Sequence, residues 1–271
     1  MNKILTFLVL GLMTLSLEAQ TEDSLNLKKV ISINVEAKFA TADQFDNFYV
    51  VTHENEIIKF DSEGNEQFRY SNSRFGDITY FEAANPFHIL VFYQTFNEIV
   101  TLDRTLSPSG GFHLSRIELF QANCLSVADD KNLWIYDKDN FQLKKFDFNG
   151  NPLSQSQQLN QIFKTKINPS IVKEVGNKVY LFDKKKGIYV FDIYGKFLTF
   201  ISIEKGIDFS VIEQSILIFK SKKATNLSNP IAKEKDFFYP KELTNSGKLF
   251  FKNDKIFQVK EDWVSVFKIG K

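Results

Sequence analysis

The residues best equipped for metal or nucleophilic chemistry are few: His53, His88, His113 and Cys124. A zinc centre recruits ligands at short spacings, such as the two histidines of HExxH on one helix face. No pair here has such a spacing, so the histidines read as surface and strand-edge side chains. Cys124 lies in Ala122-Asn123-Cys124-Leu125-Ser126-Val127, an apolar alternating stretch, and reads as a buried structural thiol. Being the single cysteine, it cannot form an intramolecular disulfide.

Serine-hydrolase chemistry would need a nucleophile elbow, G-x-S-x-G, and the chain has none. Pro108-Ser109-Gly110-Gly111 reads instead as a Gly-rich turn, and Lys184-Lys185-Lys186-Gly187 as an exposed hairpin tip. The densest acidic clusters are Asp129-Asp130 and Asp137-x-Asp139-Asn140. The second lacks the Gly and the distant Glu of a helix–loop–helix calcium loop. Both fall where turns are expected and read as solvated turn carboxylates. Paired carboxylates for glycoside hydrolysis have no support in spacing. No catalytic, cofactor or metal residue is assigned, and the chain is expected not to be an enzyme.

The elements that would position any site form a repeat. Asn47 to Gln67, Asn132 to Ser154 and Asn177 to Thr199 each show an apolar strand, a polar turn and a second strand ending in Phe-Asp. Phe60-Asp61, Phe146-Asp147 and Phe191-Asp192 are each followed by a glycine, Gly64, Gly150 or Gly195, three residues after the Asp. Asp initiates a turn by accepting from backbone N–H groups ahead of it, and Gly supplies positive φ. A looser copy at Pro86 to Leu106 keeps Leu102-Asp103 but lacks the Gly.

The apolar strand centres, taken as Tyr49, Leu90, Ile135, Leu181, Leu217 and Phe250, step by 41, 45, 46, 36 and 33 residues. Blades of four-stranded propellers repeat at about 40–45 residues. The fold class is therefore all-β, a β-propeller of about six blades, with five as the alternative. Two alternating segments, Val30 to Val35 and Trp263 to Ile269, are expected to share a terminal blade and close the ring. One region departs from the repeat, Lys220 to Lys241, with an aromatic patch at Phe237-Phe238-Tyr239. It reads as a degenerate outer blade edge whose aromatics pack inward, with partner docking as the alternative.

Composition agrees. The chain of 271 residues carries 29 Phe, 9 Tyr and 2 Trp, an aromatic load suited to pleated, half-buried strands. Its 34 Lys+Arg balance 33 Asp+Glu to a net charge of +1, which gives no basic footprint for nucleic acid. Met1-Asn2-Lys3, the apolar run Ile4 to Leu17 and Glu18-Ala19-Gln20 have the layout of a secretory signal over residues 1–19. No later apolar stretch is long enough to span a membrane. The domain expectation is a signal peptide at 1–19 and one propeller at 20–271, exported to the periplasm or cell exterior, with association with the outer membrane as a further option.

The Phe-Asp-x-x-Gly hairpins in successive units resemble the repeats of NHL-type and related six-bladed propellers. Asn85 to Leu106 is also similar to a segment of uncharacterised exported propeller-like proteins of Gram-negative bacteria. The resemblance implies a fold and not an activity. The functional expectation is a non-catalytic module or scaffold binding a protein or glycan partner. The alternatives are a calcium-dependent hydrolase with its site in the central channel, and a soluble subunit of a cell-envelope assembly.

Overall fold

The computed structural model describes residues 26–270 apart from positions 165, 204, 213–214, 228–234, 241–242, 244–246 and 253. The expected signal segment lies outside the described residues. The first strand, β1 (Leu27–Asn34), is followed by β2 (Phe39–Ala42), β3 (Phe48–Val51), β4 (Glu56–Phe60) and β5 (Glu66–Ser71), which form blade I. Blade II holds β6 (Tyr80–Glu82), β7 (Ile89–Tyr93), β8 (Glu98–Leu102) and β9 (Pro108–His113). Blade III holds β10 (Ala122–Val127), β11 (Leu133–Asp137), β12 (Gln142–Phe146) and β13 (Pro152–Gln155). Blade IV holds β14 (Ile171–Val175), β15 (Lys178–Asp183), β16 (Gly187–Asp192) and β17 (Phe197–Ser202). Blade V holds β18 (Asp208–Ile212), β19 (Ser215–Phe219), β20 (Lys223–Leu227) and β21 (Lys235–Phe238). Blade VI joins β22 (Lys248–Lys252), β23 (Lys255–Val259) and β24 (Trp263–Ile269) to β1 as its outer strand.

Strand alternation closes these sheets into a ring. On β3, Tyr49 and Val51 pack with Ile89, Val91 and Tyr93 of blade II, while Phe48 and Val50 pack with Phe257 and Val259 of blade VI. The same two-sided burial joins Leu90 and Phe92 to Leu125 and Ile135, and Trp134 and Tyr136 to Val179 and Leu181. Tyr180 and Phe182 meet Phe209 and Ile218, and Leu217 and Phe219 meet Phe251 and Ile256. Six cores thus fill six interfaces, so each second strand must be apolar on both faces. The architecture is a six-bladed β-propeller, which settles the five-or-six alternative.

Closure follows the expected pairing. β1 runs antiparallel to β24, with Ile33 opposite Val264 and Ser32 opposite Ser265. The two serine hydroxyls are 2.9 Å apart. Pairing the first described strand with the last removes the open ends that a linear array would expose.

The Asp turns are a local device repeated at one position of blades I to IV. Asp61 accepts from the N–H groups of Glu63 and Asn65, Asp147 from those of Asn149 and Asn151, and Asp192 from those of Tyr194 and Lys196. Asp103 does the same for Thr105 and Ser107, and Leu106 adopts φ 59° where the other turns have glycine. Leu106 tolerates that left-handed backbone because its side chain is buried in the core between blades I and II.

Two readings of the strands are corrected and a third is met. Phe250 lies on the innermost strand β22, and the equivalent of Tyr49 or Leu217 in blade VI is Phe257 on β23. The last repeat step is then 257 − 217 = 40 residues, within the blade period. Pro108 to Gly111 is not a turn but the start of outer strand β9. A Cβ on Gly111 would come within 2.2 Å of the Ile99 carbonyl oxygen, so glycine there permits close strand pairing. In blade V the polar stretch supplies β20 and β21, with Phe237 packed against the core and Tyr239 buried, as the inward-packing reading expects.

Candidate functional site

The first strands of the blades stand innermost, and their carboxyl ends meet around one cavity of about 390 Å³. Glu82 ends β6, Ser126 lies near the end of β10, Lys173 and Glu174 lie on β14, and Lys252 ends β22. With Gln44, just beyond β2, residues from five of the six blades line this mouth of the axial channel.

Its electrostatics are those of paired charges. Lys252 Nζ donates to Glu82 Oε1 at 3.0 Å, and the Tyr80 hydroxyl and Val127 N–H donate to Oε2 at 2.8 and 3.2 Å. Burial pushes the Glu82 carboxyl up, but Lys252 and these hydrogen bonds together bring it below the ordinary carboxylate range. Burial and then the Glu82 charge drive the Tyr80 phenol well above its usual value. Glu174 accepts from the Trp134 indole at 2.5 Å and the Asp129 N–H at 3.1 Å, with Lys145 Nζ at 3.5 Å. Lys173 reaches Asp208 at 2.9 Å and the Phe209 carbonyl at 2.6 Å. Apart from the Tyr80 hydrogen bond, which stays within β6, each contact joins two blades, so partners that satisfy buried charges also hold the ring at its axis.

Asp129 differs. Burial, and then the neighbouring charges of Glu174 and Asp130, raise its carboxyl above the usual range.

Beside the mouth, two large apolar side chains stand in solvent. Phe45, in the β2–β3 turn, is 59% exposed and Phe87, in the β6–β7 turn, 54%. Their rings meet edge to face at 6.4 Å, across the boundary of blades I and II. His88, on the cavity wall, stacks on Phe148 at 6.4 Å.

The residues singled out in the sequence scatter. His88 and Asp129 reach the cavity, His53 borders a separate groove with Trp263, and His113 bonds Ser115 on the surface. Cys124 is buried and free, as the alternating stretch implied. Asp130 pairs with Lys145 at 2.8 Å. Asp137 is corrected: it is buried, not solvated, and holds its hairpin by accepting from Asp139 N–H, Asn140 and Lys144. Among the described residues, no three of His, Cys, Asp and Glu converge as a metal-ligand set.

Glu82, Lys173, Glu174 and Lys252 were not singled out. Their common signal is position near the end of a blade's first strand. The repeat shows itself in the second and third strands, where Phe-Asp makes the pattern visible.

No family model matches the chain, and neither does any curated protein sequence. Solved structures do resemble it. The WD40 domain of Neurospora crassa Pan2 has a TM-score of 0.62 at 10% identity, over 92% of this chain and 97% of that one. Virginiamycin B lyase from Staphylococcus aureus has a TM-score of 0.62 at 10% identity, over 90% of this chain and 100% of that one. BBS1N, solved in complex with ARL6DN, has a TM-score of 0.60 at 8% identity, over 92% of this chain and 98% of that one. At such identities the likeness is one of fold.

The expectation that the chain is not an enzyme is corrected by these neighbours, because a lyase is built on the same ring. A propeller can assemble a site from residues on separate blades. The absence of a short catalytic motif therefore does not exclude catalysis on this fold.

Proposed function

We propose that the protein is an exported propeller of the cell envelope that binds a protein or glycan partner on the face where its channel opens. The observation that carries this reading is the exposed Phe45–Phe87 pair beside the charged mouth. Large aromatics held in water by two rigid turns, next to convergent polar groups, have the make-up of a binding surface. The Asp43 carboxylate fixes the first turn by accepting from the N–H groups of Phe45 and Asn47 at 2.8 and 3.0 Å. Asn85 fixes the second through the Phe87 N–H at 3.0 Å. Presentation therefore costs little ordering on binding. BBS1N, alike in fold, is itself seen bound to a protein. Export is supported by the leader-like residues 1–19, and no described helix is long and apolar enough to cross a membrane.

The test is co-sedimentation of the chain from residue 20 onward with cell-envelope preparations of the source organism. The native chain should sediment with them, and the Phe45→Ser/Phe87→Ser double variant should bind at least about tenfold more weakly, a loss typical of interface hot spots. Equal sedimentation of both, or of neither, sinks the proposal.

A further inference from the structure

We propose that the cavity at the channel mouth binds a neutral polyhydroxylated ligand, a sugar unit of a glycan. This rests on the binding reading above and specifies its ligand. The first argument is charge balance. Three carboxylates, Glu82, Asp129 and Glu174, and three lysines, Lys131, Lys173 and Lys252, line the cavity. Glu82, Glu174, Lys173 and Lys252 are already met by opposite charges from other blades. A charged ligand would lose its hydration against a wall with no net charge to compensate it.

The second argument is hydrogen-bonding capacity. Carboxylates retain lone pairs for accepting, ammonium groups retain N–H donors, and a hydroxyl can do both. Ser126 is 2% exposed in this wall, and its hydroxyl has no hydrogen-bond partner among the described residues. An unpartnered buried hydroxyl costs stability, and a ligand hydroxyl in the cavity would supply the missing partner. Sugar hydroxyls, which donate and accept on one small ring, match such a mixed wall. The cavity, about 390 Å³, falls in the range of small-molecule sites. Phe45 and Phe87 flank cavity residues Gln44 and His88 and offer apolar faces for a sugar's C–H surface.

The experiment titrates the chain with a panel of neutral mono- and oligosaccharides, alongside free amino acids and inorganic phosphate. Binding is followed through the Trp134 indole N–H resonance, since that group donates to the cavity residue Glu174. At least one saccharide should give a saturable shift. Ala84→Phe, which fills the cavity without removing a polar group, should abolish it. Ser126→Ala should weaken it about tenfold, the size expected for one lost buried hydrogen bond, while leaving the fold intact. A panel without saturable shifts, saturation by amino acid or phosphate alone, or unchanged affinity in Ser126→Ala or in folded Ala84→Phe overturns the inference. If no saccharide binds yet envelope association still depends on Phe45 and Phe87, the sugar site fails and the proposed function stands. Loss of both sinks both.

Discussion

Lys252 Nζ and Glu82 Oε1 meet at 3.0 Å although 170 positions separate them in the chain. The pair reaches from blade VI to blade II at the axis, past the first strand of blade I. Both residues are mostly buried, with side-chain exposures of 20% and 11%. An ion pair so placed adds little over an apolar filling, yet breaking it from one side is expensive.

Lys252→Met should therefore destabilise the fold by about 3–5 kcal/mol, because it strands a buried carboxylate. Glu82→Gln should cost less, since the more exposed ammonium can turn towards water. The double variant should recover part of the Lys252→Met loss. Urea denaturation of the three variants checks the order, and an additive double variant would contradict coupling across the axis.

Stability should fall in acid. Hydrogen bonds from Asn65 to Asp61, from Thr105 to Asp103 and from Asn151 to Asp147 hold these carboxyls below their ordinary value of 3.8. Glu82 is lowered likewise from 4.5. Below those ordinary values the unfolded chain binds more protons than the folded one, so stability rises with pH through that window. Asp129, whose carboxyl is raised, has the opposite sign. The melting temperature should be steady near neutrality and drop as pH falls through 4 and below. A flat profile down to pH 3 would contradict it.

Ring closure can be locked covalently. Ser32 and Ser265 are cross-strand partners with hydroxyls 2.9 Å apart, and Cys124 is buried away from exchange. Oxidised Ser32→Cys/Ser265→Cys should outlast its reduced form by at least about 5 °C, since a cross-link closing so long a loop contributes up to about 5 kcal/mol. Equal melting temperatures would mean that β1 does not hold the ring closed.

The two versions of the Asp turn should respond in a way that backbone preference alone does not foretell. Leu106→Gly relieves about 1 kcal/mol of left-handed strain but gives up about 1.5–3 kcal/mol of burial, so it should destabilise. Gly64→Ala introduces the strain at φ +88° and brings a Cβ within 2.7 Å of Ile31 Cδ1 on β1. It should cost about 1–3 kcal/mol. Thermal melts of both variants decide, and a stabilised Leu106→Gly would show that backbone strain outweighs packing there.

Cys124 should resist thiol reagents in the folded protein. It is 3% exposed, and burial pushes its thiol far above the ordinary value of 9.0. Labelling by a disulfide reagent should be slow in buffer and complete in denaturant. Rapid native labelling would show that the blade III–IV interface opens readily.

The blade repeat, the Asp turns and the closing strands were legible in the residues because each depends on local chemistry, while the count of blades stayed between five and six. Phe60-Asp61 with Gly64 makes its turn wherever the chain goes, and Val264 with Val266 marks a buried strand face by alternation alone. The sixth blade was harder: Phe250 is apolar enough to pass for a second strand, and only pairing showed that role to belong to Phe257.

The channel mouth was not legible at all. Glu82 and Lys252 are, in sequence, ordinary charges at strand ends, and nothing near either residue names the other. Their meeting, like that of Glu174 with Trp134, depends on how six sheets close about an axis, a global constraint imposed by the packed interfaces between blades. The sequence by itself determined the repeating unit, through side-chain alternation and turn chemistry that act over a few residues. Only the tertiary structure decided which side chains share the axis, because burial there forces distant charges to find partners that no local pattern specifies.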